Sequence, residues 1–218
     1  MSRERSLWTR LAMLFAVCLM GVVGLAAPAS ADSAAGGDDH KVSWSDAKGG
    51  TNEARALSLR EVKERGLARY VDAERYTETT PKLFTDTSRA SSPAEQREGR
   101  SSELATTCWE HWYSYGTSAL RGQTDVTWCG DGTWVRYSAS GCWGEEHWPT
   151  YQYLGCTVID DYGHPRPDEY WNIYNVWTQW DLCPAWVPVW AECSWHDRPW
   201  GKYQYQGDGD IVRLGGTD

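Results

Sequence analysis

Glu145 and Glu146 lie between Trp143 and Trp148, and Asp160 and Asp161 open an Asp-Asp-Tyr-Gly turn shortly downstream. Carboxylates beside aromatic rings are what glycoside hydrolysis uses, one acid protonating the leaving oxygen while the other attacks or activates water. Adjacent residues on a strand point to opposite faces, however, so each doublet offers at most one group to a single site. These four are the candidate catalytic residues. A solvated acidic surface accounts for them more simply, and the reading leans away from an enzyme. The chain has no Gly-x-Ser-x-Gly elbow, and cysteines engaged in disulfides cannot act as nucleophiles.

A second chemistry resides in the segment Glu169 to Leu182. Read as a strand, its even positions Tyr170, Tyr174, Val176, Trp180 and Leu182 are apolar apart from Asn172 and Thr178, which assigns them to a core. The odd positions carry Trp171, Ile173, Asn175, Trp177 and Gln179. Indoles flanked by amides suit the alternating apolar faces and hydroxyl edges of a sugar chain. Trp171, Asn175, Trp177 and Gln179 are therefore the candidate ligand-binding residues. Along an extended strand the two indoles would stand about 20 Å apart, the span of several sugar units.

The rest of the composition fits a small oxidised domain. Thirteen of the fifteen tryptophans and six of the seven cysteines fall between Cys108 and Trp200, a stretch with no phenylalanine, methionine or lysine. Such a core must be largely aromatic. Each indole N–H needs a partner, so about half of the rings should remain at least partly exposed. Six cysteines allow fifteen pairings. Spacing favours Cys108 with Cys129, Cys142 with Cys156 and Cys183 with Cys193, each pair symmetric about a loop. No Cys-x-x-Cys pair is present, and no histidine has a second histidine at ligand spacing, so neither a metal nor a cofactor is expected.

The chain begins as a secretory signal would, with Arg3, Arg5 and Arg10 before an apolar run from Leu11 to Ala27 and the small residues Ala29-Ser30-Ala31. Residues 1–31 are read as that signal, and it takes the seventh cysteine, Cys18, with it. A secreted, extracellular protein is expected, which suits the disulfides. Net charge is −9, and −11 without the signal's three Arg and one Glu. Such a surface repels a phosphate backbone or an anionic membrane, leaving neutral or cationic extracellular ligands.

Residues 32–103 are rich in Ser, Thr, Gly, Glu and Arg and poor in large apolar groups, so they are read as a mostly disordered linker or pro-segment. A short helix is expected within 53–76, where Leu57, Val62, Leu67 and Tyr70 recur at broken helical spacing around Gly66. As a pro-segment it would be cut near Arg97 or Arg100.

From 104 to 218 the period shifts to two, with frequent turns. Strands are expected at 106–115, 124–129, 133–137, 150–159, 169–182 and 186–195, with a last hairpin around Gly207-Asp208-Gly209. That turn repeats the Gly130-Asp131-Gly132 of an earlier hairpin. About seven or eight antiparallel strands predict an all-β, disulfide-stabilised two-sheet sandwich or small barrel. A non-enzymatic binding module for polysaccharide or cell-wall glycan leads the functional readings. A small secreted glycoside hydrolase and a disulfide-stapled effector or inhibitor of another protein are the alternatives.

Overall fold

Alternation of apolar and polar residues, punctuated by turns, builds two five-stranded sheets packed face to face as a sandwich. A computed structural model of the chain describes residues 41–45, 50–90, 106–163, 171–187, 190 and 192–217. The expected signal, residues 1–31, and the cut sites at Arg97 and Arg100 lie outside them. The first sheet contains β1 (Lys41–Ser45), β2 (Thr51–Ala56), β4 (Thr107–Gly116), β5 (Leu120–Gly130) and β6 (Val135–Glu146), antiparallel and adjacent in that order. The second has the order β3 (Lys82–Phe84), β12 (Asp210–Gly216), β11 (Trp200–Gln206), β8 (Ile173–Cys183) and β7 (Gln152–Tyr162), antiparallel except for the parallel β3–β12 pair. The expected strand at 186–195 is instead a short hairpin of β9 (Trp186–Val187) and β10 (Glu192–Cys193).

Composition places a boundary near 104, but the chain from 41 to 90 is built into both sheets, and all described residues belong to one unit, Gly37–Asp218. A strand lying on a core needs an apolar group only at every second position, so Ala54 and Ala56 suffice for β2 where a self-contained core would need far more. The expected helix is shorter than its pattern: α1 spans Leu59–Glu64 and is followed by a 3₁₀ turn at Ala68–Tyr70. A capping box starts α1, Ser58 Oγ accepting from the Glu61 N–H while the Glu61 carboxylate accepts from the Ser58 N–H. Leu57, Val62 and Leu67 from this segment bury the Cys108–Cys129 disulfide on the outer face of the first sheet.

The other two disulfides are Cys142–Cys156 and Cys183–Cys193. Cys142–Cys156 joins the neighbouring edges of the two sheets, and Cys183–Cys193 ties the β9–β10 excursion to the end of β8. The two Gly-Asp-Gly turns meet at one end of the sandwich, the Gly132 N–H donating to the Gly207 carbonyl at 2.8 Å.

The core is aromatic, as composition requires, and its polar tips are satisfied largely between the sheets. Trp109, Trp128, Trp180, Tyr113, Tyr174, Tyr203 and Tyr205 are all buried. Trp180 Nε1 donates to the Gln123 carbonyl, Trp128 Nε1 to the Gln206 carbonyl and the Tyr203 hydroxyl to Asn52 Oδ1. The Tyr113 hydroxyl meets Thr178 Oγ1, and the Tyr205 hydroxyl meets His111 Nδ1 at 2.9 Å. These bonds offset the desolvation of the polar tips and orient the rings.

His111 carries a pH consequence. Burial pushes its imidazole down from 6.5 to about 3, so the folded ring stays neutral while the unfolded chain takes up a proton below pH 6.5. The unfolded state therefore binds more protons between these values, and stability falls as pH falls, at up to about 1.4 kcal/mol per pH unit. Glu61, held near 2 chiefly by its hydrogen bond from Arg55, adds its own loss only below 4.5. Urea unfolding at pH 6.5 and pH 5 is expected to show a loss of about 1.6 kcal/mol from His111. His111→Gln, which can pair with the Tyr205 hydroxyl but does not titrate, is expected to remove that slope.

Candidate functional site

β8 lies inside the second sheet, so its side chains alternate between the core and the sheet's outer face. Tyr174, Val176, Thr178, Trp180 and Leu182 point into the sandwich and are buried, as the even-position pattern predicts. Trp177 and Gln179 stand on the outer face, half-buried. The other two candidate ligand residues lie elsewhere. Trp171 precedes β8, pairs its backbone with Val135 of β6 and packs against the core cluster beside Tyr162. A break in the strand before Ile173 thus removes Trp171 from the row that uninterrupted alternation assigned to it. Asn175 is on the outer face but only 8% exposed, accepting from Gln204 Nε2. Gln206, next in that amide row, donates to the Arg89 carbonyl, so residues near 89 cover this end of the face.

The open end gains neighbours that only strand pairing could reveal. Trp177 is in register with Ile159 of β7 and Lys202 of β11, and Gln179 with Thr157 and Trp200. Trp177 and Trp200 are thus diagonal neighbours on adjacent strands, about 7–8 Å apart. Ile159 is 54% and Trp200 37% exposed, so the patch is open to solvent. Beyond Gln179 a depression of ≈ 330 Å³ is lined by Gly155, Thr157, Gln179, Asp181 and Arg198. At its end the Asp181 carboxylate accepts from His196 Nδ1 at 2.7 Å and from Arg198 Nε at 3.2 Å. Two indoles beside a row of hydroxyl, amide and charged groups can stack a flat apolar face while bonding its polar edges. Ile159, Trp200 and Lys202 escaped the sequence reading because their nearness to Trp177 is set by partners 18 to 25 residues away.

The carboxylates of the hydrolase alternative are dispersed. Glu145 is in register with Arg121 on the outer face of the first sheet, and Asp161 with Asn175 on the outer face of the second. Glu146 accepts the Tyr153 N–H and Asp160 the Ser140 hydroxyl, so both have structural partners. A further depression of ≈ 360 Å³ lies on the first sheet's outer face, where Trp112 and Trp143 flank Ser114 and Gln123.

No protein-family model, curated protein or solved structure matches this chain. The fold and the site define a disulfide-linked, two-sheet β-sandwich with an aromatic patch on the outer face of each sheet.

Proposed function

We propose that the protein is a secreted, non-enzymatic binding module for polysaccharide or cell-wall glycan, and that the ligand lies on the outer face of the second sheet. The observation that carries this reading is the diagonal pair of half-buried Trp177 and exposed Trp200, beside Gln179 and Thr157 on one sheet. Sugar rings offer apolar faces to indoles and hydroxyl edges to amide and hydroxyl groups, and both complements occur side by side here. Three disulfides and the basic–apolar–small N-terminal pattern support an extracellular setting. No helix among the described residues is long and apolar enough to cross a membrane. The scattered carboxylates favour binding over hydrolysis.

Sedimentation of the purified protein with insoluble cellulose, chitin or peptidoglycan tests the reading. Trp177→Ala is expected to weaken retention at least tenfold, as loss of a central aromatic anchor does, while the melting temperature falls by only a few degrees. Trp143→Ala serves as the control. If retention is lost with Trp143 and kept without Trp177, the ligand lies on the first sheet instead, in the depression beside Trp112. Unchanged retention in both variants removes the aromatic platform altogether.

A further inference from the structure

Lys202 is the only lysine after Lys82, in a protein of net charge −9. It stands at the centre of the Trp177–Trp200 patch. Its register partners are Trp177 on β8 and Gly215 on β12, and the Trp200 ring lies against Gly215, 3.0 Å from where a Cβ would be. Lys202 thus sits in register between Trp177 on one side and the Trp200 ring over Gly215 on the other. No carboxylate among the described residues pairs with its ammonium, although the chain's acidic groups outnumber its basic ones, 30 to 21. The nearby Asp181 is already engaged by His196 and Arg198.

We propose that this face selects an acidic saccharide, a pyranose bearing a carboxylate. Successive rings of the saccharide stack on Trp177 and on Trp200, and a carboxylate between them takes the Lys202 ammonium. The inference rests on the glycan platform proposed above and adds the ligand's charge. A cation with no carboxylate partner among the described residues, set between two stacking surfaces, puts attraction where a ring substituent would project, and a partly desolvated charge contact strengthens it beyond its value in water. The acidic remainder of the surface repels dense polyanions, so recognition is confined to a carboxylate carried on a stacked ring.

Calorimetric titration with a hexuronic acid trisaccharide and with the corresponding neutral hexose trisaccharide tests this on the full secreted chain. The wild type is expected to bind the acidic sugar about tenfold more tightly than the neutral one, with the preference shrinking at high salt. Lys202→Gln is expected to bring the two affinities together by weakening the acidic sugar, and Lys202→Arg to retain the preference. Trp177→Ala is expected to weaken both ligands. Equal affinities in the wild type, or a preference that survives in Lys202→Gln, overturn the acidic-sugar assignment and leave the platform standing. Binding of neither sugar to the wild type overturns the platform and the assignment together. Near-ultraviolet dichroism of each variant separates lost contacts from lost folding.

Discussion

A fragment beginning at Leu104 is expected to collapse without forming the native sandwich, even with its three disulfides intact. It would lack β1, β2 and β3, and with them Ala54, Ala56, Leu57, Val62 and Leu67, each at most 5% exposed in the folded chain. Burying a Leu or Val is worth about 1.5–3 kcal/mol, so the last three of these alone contribute about 5–9 kcal/mol, comparable with the whole stability of a domain. Polar partners leave as well. Trp109 Nε1 donates to the Thr79 carbonyl at 2.7 Å, the Tyr203 hydroxyl to Asn52, and the Cys108 N–H to the Tyr76 hydroxyl. β4 would become an open edge, a template for aggregation. Comparing residues 104–218 with residues 37–218 in thermal unfolding checks this: the longer chain is expected to melt cooperatively and the shorter to show no transition. A cooperative melt with native near-ultraviolet dichroism from the shorter chain would refute it.

Gly122→Ala is expected to destabilise the core strongly. The Trp180 indole crosses from the second sheet to lie on Gly122, and a Cβ at that position would sit 2.3 Å from Trp180 Cγ. That atom is the root of the ring, so a swing of the side-chain tip does not relieve the clash. The ring is also fixed by its 3.1 Å bond to the Gln123 carbonyl and is 2% exposed. Overpacking costs about 1–3 kcal/mol, and the rigid ring with its tethered N–H places this change at the upper end. Chemical denaturation measures the loss. In a Trp180→Phe background the same substitution is expected to cost less, and the double-mutant cycle reports the coupling. Equal costs in the two backgrounds would place the clash elsewhere.

Local pattern alone determined the class of fold. Period-two alternation and turn residues are properties of neighbouring residues, so most of the strands from Thr107 onward, the two Gly-Asp-Gly hairpins and the core side of β8 were legible in the chain, the 186–195 hairpin excepted. The short, symmetric cysteine loops likewise pointed to the three pairs that form. Tertiary structure decided the rest. β1, β2 and β3 are edge and near-edge strands whose few apolar groups signify nothing until another element's surface is laid against them. Trp171 left the candidate site through a break before Ile173 and Asn175 through burial in an amide pair with Gln204, neither visible in alternation. Trp200 and Lys202 joined it because β11 pairs with β8 across the sixteen residues between Cys183 and Trp200. Side-chain direction is set within a strand, whereas neighbourhood across a sheet is set by pairing and register, and a binding face consists of neighbourhood.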